Sequence, residues 1–270
     1  MSLKCLRFQG TCPTLSKKIR TIDLPHTIVI TGLRRCGKST LLKQIMTEFY
    51  PANNFYYISF EDERLFDFPA ENFNMYYQTL VELFGSHKTF IIDEIQNIPN
   101  FERFVRRFME EGFKFFITGS NATLLSREIG SKLSGRHIDL YLTPFTFNEF
   151  LSFHGFSFKH PYQYSTEIQA QIKNFFLEYL EYGGIPEYLQ FNDPDILKTI
   201  YDDIIYKDIA IRYNITNVQV LRELYRYLIS ITSNLFSYNF LKNHFKVGSV
   251  NTIKDYVAFL EESFLITRDC

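Results

Sequence analysis

Residues 32–39 read Gly32-Leu33-Arg34-Arg35-Cys36-Gly37-Lys38-Ser39, a complete G-x-x-x-x-G-K-S pattern placed between the apolar run His26 to Thr31 and a helical pattern. These types at this spacing point to phosphate chemistry. Gly32 and Gly37 allow backbone angles closed to other residues, so N–H groups from Gly32 through Cys36 to Thr40 can face inward around a β-phosphate. Lys38 adds a mobile positive charge, and the Ser39 hydroxyl can ligate Mg²⁺. The helix expected next carries Leu41, Leu42, Ile45 and Phe49 on one face and aims its positive end at the same anion. The expected ligands are ATP and Mg²⁺.

Further along, Thr89-Phe90-Ile91-Ile92-Asp93-Glu94 is an apolar run ending in two adjacent acids. Phosphoryl transfer needs charge neutralised and a nucleophile positioned, so one carboxylate should orient the metal and another the water. Asp93 fits the first role and Glu94 the second. The next apolar run, Phe115-Phe116-Ile117-Thr118, leads into Gly119-Ser120-Asn121. A polar side chain there can report on the γ-phosphate, with Ser120 favoured over Asn121, or it can simply cap a helix. Arg136, in Lys132-Leu133-Ser134-Gly135-Arg136, either supports transition-state charge in a neighbouring subunit or makes a structural ion pair. Arg34 and Arg35 could touch phosphate or a carboxylate across an interface, although plain solvation accounts for both.

These groups must be held at one sheet edge. Short apolar runs alternate with helical patterns up to about residue 142, which predicts an α/β fold with a doubly wound parallel sheet. The expected strands are His26 to Thr31, Asn54 to Phe60, Lys88 to Asp93, Lys114 to Thr118 and His137 to Leu142. Helices are expected after Lys38, at Met75 to Phe84, at Phe101 to Glu111 and at Ala122 to Ile129. Such a sheet binds its ligand at the carboxyl ends of the strands, where the Gly-rich loop lies.

After Pro144 the alternation stops. Helical patterns follow at Phe147 to Phe153, Thr166 to Tyr182, Asp195 to Tyr213 and Asn217 to Thr232, broken sharply by Gly183-Gly184-Ile185-Pro186. A last unit reads as a helix (Tyr238 to His244), a tight turn, a second helix (Ser249 to Glu262) and the start of a strand, the order of a winged helix-turn-helix. The expected domains are therefore a core over residues 1–144, a helical subdomain over 145–236, and a truncated winged unit over 237–270.

Composition bounds the partners. With 46% hydrophobic and 22% charged residues and a formal net charge of −1, the 270-residue chain reads as a soluble globular protein without a global field for nucleic acid. No apolar run approaches the roughly 18 residues of a membrane span, and no signal peptide is visible, so a cytoplasmic location is expected. Cys5, Cys12, Cys36 and Cys270 lack metal-ligand spacing and give no sign of a disulfide framework. Phe and Tyr are abundant while Trp is absent, and their even spread favours core packing over base stacking.

Taken together, these segments resemble the AAA+ branch of phosphate-loop ATPases. The finer similarity is to a family of predicted archaeal and bacterial ATPases that join such a core to a winged helix and a nuclease-like domain. It is carried by residues 32–42, Ile-Ile-Asp-Glu-Ile-Gln at 91–96, Thr-Gly-Ser-Asn-Ala at 118–122, Leu-Ser-Gly-Arg at 133–136, 142–151, Gly-Gly-Ile-Pro-Glu-Tyr at 183–188 and 249–256. The resemblance implies nucleotide, metal and hydrolytic roles for Lys38, Ser39, Asp93 and Glu94. It does not reach a nuclease-like domain, so no nuclease activity is carried over.

The second helix of the last unit would offer Ser249, Asn251, Thr252 and Lys254 to a DNA duplex, with Lys242 and Lys246 nearby. Asp255, Glu261, Glu262 and Asp269 offset that charge, and winged helices also contact proteins. Two whole-chain readings compete: an ATP-hydrolysing motor or switch, and a nucleotide-gated binding module with little turnover. A small-molecule kinase fits less well, and a homo-oligomer is compatible with either of the first two.

Overall fold

Five short runs rich in Ile, Val, Phe and Tyr form one parallel sheet. In the computed structural model, which describes residues 24–50, 52–65, 68–119, 136–157, 165–232 and 234–267, they are β1 (Thr27–Gly32), β2 (Tyr56–Ser59), β3 (Thr89–Asp93), β4 (Lys114–Gly119) and β5 (His137–Leu142). Their order across the sheet is β2-β3-β4-β1-β5. Every pairing is parallel. Because β1 lies between β4 and β5, the chain leaves its carboxyl end for the far edge and later hops back over it. That creates the crevice in which doubly wound folds hold ligands.

Both faces of the central strands β1, β3 and β4 are covered, which is why these are apolar almost throughout, whereas the edge strands β2 and β5 alternate in burial. Helices α1 (Lys38–Phe49), α2 (Phe73–Phe84) and α3 (Phe101–Glu110) supply the cover. Val29, Phe90, Ile92, Phe115 and Ile117 pack on one face with Phe73 of α2 and Phe104, Val105 and Phe108 of α3. Ile28, Ile30, Ile91 and Phe116 point the other way, onto Leu41, Leu42 and Ile45 of α1. The aromatic residues serve this packing: the Phe73 and Phe104 rings stack with centroids 3.8 Å apart, and Phe90 and Phe115 at 5.4 Å.

Beyond Leu142 the described residues form only helices: α4 (Phe147–Phe153), α5 (Thr166–Tyr182), α6 (Pro186–Phe191), α7 (Pro194–Asp203), α8 (Val218–Ser230), α9 (Tyr238–His244) and α10 (Val250–Glu262). Thr146 and Glu149 close a capping box at the start of α4. The two glycines after α5 have separate reasons. Gly183 ends the helix at φ +74, and a Cβ on Gly184 would lie 2.1 Å from the carbonyl oxygen of Phe145. Phe145 donates its N–H to Gly184 at 2.8 Å, while the Tyr179 hydroxyl donates to the Phe145 carbonyl.

Two expectations change here. The single helix expected over Asp195 to Tyr213 is α7 followed without a break by a π-helical stretch, Ile204–Ile211. Its wider turn points Ile204, Ile205, Asp208 and Ile209 inward together. The strand expected after α10 is absent among the described residues: Ser263 to Thr267 is turn and coil, with Phe264 at φ +61. The helix expected over Ala122 to Ile129 lies outside the described residues. A single apolar cluster runs through α6 to α10, joining Ile185, Tyr188, Ile200, Ile205, Leu221, Leu224, Leu241, Ile253, Val257 and Leu260. Among the described residues no helix is long and apolar enough to cross a membrane.

Candidate functional site

The Gly-rich loop leaves β1 at Gly32 and enters α1 at Lys38. Gly32 is forced by crowding: a Cβ there would meet the Leu142 carbonyl oxygen at 2.1 Å, because Gly32 pairs with Leu142 at the end of β5. Gly37 takes φ +105 as the residue before α1, a conformation that L side chains rarely adopt. Helix α1 has neither a side-chain cap nor an acid in its first turn, so its own residues leave the positive N-terminal end unneutralised beside the loop. Lys38, 5% exposed, bends back and donates to the carbonyls of Gly32 and Leu33 at 3.0 Å each. Within the loop Cys36 donates its N–H to Leu33 at 3.2 Å. Burial raises the Cys36 thiol pKa above its ordinary value, with Lys38 opposing.

At the end of β3, Asp93 is buried and Glu94 adopts φ +52, a left-handed turn uncommon for a residue with a side chain. Such turns persist only where surroundings impose them. Thr118, fully buried at the end of β4, does so: its hydroxyl donates to Asp93 Oδ1 and accepts the N–H of Glu94 at 3.0 Å. Gln96 donates its amide to Glu94 Oε2. Alongside, Phe60 donates its N–H to the Asp93 carbonyl at 3.0 Å, which brings Glu61 to the same edge. Burial, then the charges of Glu94 and Asp93, push the Glu61 carboxyl up from its ordinary value, with Arg34 and Lys38 opposing.

The donors fit a hard cation. Asp93 offers buried carboxylate oxygen and Ser39 an exposed hydroxyl on the first turn of α1, both hard oxygen donors. Among the described residues no group of three or more His, Cys, Asp or Glu is close enough to hold a metal by itself. Mg²⁺ is usually bound by one or two protein oxygens together with substrate phosphates.

Not every expected residue converges. Ser120 and Asn121 lie outside the described residues. Arg136 is exposed at the opposite, amino edge of the sheet, its carbonyl accepting the Thr27 N–H at 3.1 Å. The six residues of β5 separate it from the loop edge by about 20 Å at the usual strand rise. Within one chain it does not reach the loop. Arg34 and Arg35 each pair with a carboxylate from the helical half of the chain. Arg34 Nε and Nη2 donate to Asp208 at 2.9 and 2.8 Å, and Arg35 Nη1 donates to both oxygens of Glu187 at 2.5 and 2.7 Å.

Residues 25–151 match the family described as AAA domain. This segment is an AAA domain. Residues 173–268, downstream of the AAA domain, match a family described as a domain of unknown function. An uncharacterized protein of Methanocaldococcus jannaschii is 34% identical over 268 residues, covering 93% of this chain and 60% of that protein. A second, from Haemophilus influenzae, is 29% identical over 270 residues, covering 94% and 64%. The chain thus spans less than two thirds of either relative's length. AMPPCP-bound DnaA from Aquifex aeolicus superposes with a TM-score of 0.37 at 15% identity, over 94% of this chain and 89% of that one.

Three residues at or against the phosphate-loop edge escaped the sequence reading. Thr118 was visible as the last residue of an apolar run, one place before the glycine, where a hydroxyl at a strand end is a signal in itself. Glu61 stands directly after the apolar run of β2, as Asp93 and Glu94 end that of β3. Asp208 carried no local signal, because it reaches the loop only through the packing of the π-helical stretch.

At the other end of the chain, α9 and α10 have the helix-turn-helix order. Ser249 caps α10 by accepting the Asn251 N–H at 3.0 Å, while Asn251 and Lys254 are exposed. The Lys254 ammonium lies 5.7 Å from the centre of the Tyr238 ring.

Proposed function

We propose that this chain is an Mg²⁺-dependent ATPase that couples triphosphate hydrolysis to movement of its helical half. The observation that carries the reading is the arrangement around Thr118, which fixes Asp93 and Glu94 side by side at the sheet edge that also bears Lys38. In this reading Lys38 exchanges its two carbonyl partners for phosphate oxygens, and the N–H groups of the loop and of the first turn of α1 hold the remaining charge. Ser39 and Asp93 would hold magnesium, which when bound neutralises phosphate charge. Glu94 orients the attacking water and accepts its proton.

The contact between Gln96 and Glu94 favours a second reading, a nucleotide-gated binding module with slow turnover. Gln96 occupies Glu94 Oε2, an oxygen that would otherwise be open to the attacking water. The α9–α10 unit is then what nucleotide presents, and the exposed Asn251 and Lys254 suit a weak, salt-dependent contact with duplex DNA. Arg136 enters either scheme only from a neighbouring copy.

Phosphate release and nucleotide retention measured on Glu94→Gln separate the two. The ATPase reading expects retention with turnover reduced by at least about 100-fold. Unchanged turnover removes Glu94 from its role.

A further inference from the structure

Three consecutive residues at the crest of the phosphate loop are attached to the helical half of the same chain. Leu33 packs against the apolar cluster of α6 to α10. Arg34 is gripped by both oxygens of Asp208, and Arg35 by both oxygens of Glu187 at the start of α6. These partners lie 174 and 152 residues away in sequence. Asp208 is 5% exposed and sits in the π-helical stretch, whose wider turn places it among inward-facing isoleucines. π turns of this kind recur at functional sites rather than in plain structural helices.

A buried carboxylate needs its counter-charge, and the two-pronged guanidinium contact is directional as well as strong. Arg34 therefore cannot leave Asp208 without stranding an acid in an apolar setting. Its guanidinium is held above its ordinary range chiefly by that hydrogen bond, against burial, and Glu94 also lies within its field. Since the backbone of Leu33, Arg34 and Arg35 is the loop itself, any adjustment of the loop around an anion must be transmitted to α6 and the π-helical stretch. The reverse holds with equal strength, because linkage between two equilibria is reciprocal.

We propose that Asp208 is a positioning residue for the phosphate loop, holding Arg34 so that grip on a nucleoside triphosphate and seating of the helical half on the AAA domain form one linked equilibrium. The proposal rests on the reading of the loop as a triphosphate site. Asp208 touches no reacting atom in this scheme and acts only through Arg34.

The test uses the full chain with Mg²⁺ and a fluorescent, non-hydrolysable ATP analogue, read by binding affinity and by amide hydrogen exchange over residues 185–213. In the wild type the analogue should slow exchange in that segment several-fold. Asp208→Asn should weaken analogue binding by about tenfold and abolish the added protection, a loss within the usual range of site-to-site coupling. Asp208→Glu should recover most of both. If Asp208→Asn does not fold, the paired change Arg34→Met with Asp208→Leu removes both charges at once and leaves no stranded acid. It should show the same loss of affinity and of linked protection. Wild-type affinity with wild-type protection in either variant overturns the proposal. Lys38→Ala separates this from the reading beneath it. If the wild type itself binds no analogue, both fail; if it binds in a Lys38-dependent way while the Asp208 variants match it, only the linkage fails.

Discussion

Thr118 donates its hydroxyl proton to Asp93 from the neighbouring strand, one step beyond the last β3–β4 pair, Ile92 with Ile117. Because the same oxygen accepts the N–H of Glu94, one side chain aims the carboxylate assigned to the metal and fixes the backbone that carries the hydrolytic acid. Supporting hydrogen bonds of this sort typically matter 10- to 100-fold in metal affinity or rate. Thr118→Val, nearly isosteric but without the hydroxyl, is expected to lower ATP turnover by about that factor, and Thr118→Ser to keep most of it. Steady-state phosphate release checks this, and a Val variant as fast as the wild type contradicts it.

Glu61 gives a prediction in pH. Its carboxyl is raised by burial and by the neighbouring Glu94 and Asp93, so the folded state binds that proton more tightly than the unfolded chain does. Its contribution to stability is therefore present below the unfolded value near 4.5 and is lost as pH rises through the folded value. Glu61→Gln lacks that loss. Thermal unfolding without nucleotide or magnesium should show the variant with the higher Tm at pH 7.5 and no difference below about pH 4. A Tm advantage of equal size at both pH values would assign the effect to something other than ionisation.

Gly32 sits where β1, β5 and the loop meet. Gly32→Ala places a methyl group 2.1 Å from the Leu142 carbonyl oxygen and 3.0 Å from the Cys36 sulfur, and the first of these is backbone that can move only by breaking pairing at the strand end. Overpacking of this kind costs about 1–3 kcal/mol. Urea unfolding should report that loss, with weakened analogue binding beside it. A variant of wild-type stability would show that the β1–β5 end yields more easily than its geometry implies.

For α9 and α10 the expectation concerns salt. Changing Lys242 and Lys254 together to Ala should reduce the slope of log affinity for labelled duplex DNA on log salt by about 2. The measurement is fluorescence anisotropy at about 50 and about 200 mM salt, the interval over which phosphate contacts weaken most visibly. Failure of the wild type to bind at the lower concentration would set DNA aside and leave a protein partner for this unit.

Much of the AAA domain was legible because its signals are local. A parallel strand buried on both faces is an unbroken apolar run, so β1, β3 and β4 fell within a residue or two of their expected spans; the edge strand β5 alternates in burial and also matched its span. The Gly-rich loop and the paired acids announce themselves by spacing. Elsewhere the deciding contacts are between residues far apart in sequence. The expected helix over Asp195 to Tyr213 changes to π geometry after Asp203, a widening that the 3.6-residue period of its apolar positions does not distinguish from a plain helix. Arg34 and Arg35 looked solvated because their partners come from the other half of the chain. Arg136 was expected just before β5, and in a parallel sheet that position already lies at the amino edge, away from the loop at the carboxyl ends.

The central claim is that Lys38, the loop backbone and the acids at the end of β3 form a triphosphate site. Titration calorimetry of a non-hydrolysable ATP analogue with Mg²⁺ into the wild-type chain and into Lys38→Ala tests it most directly. Saturable binding to the wild type, lost or weakened by at least about 100-fold in the variant, is the predicted result, as expected when a buried charge–phosphate contact is removed. Absence of binding to the wild type, or equal binding to both chains, would contradict it.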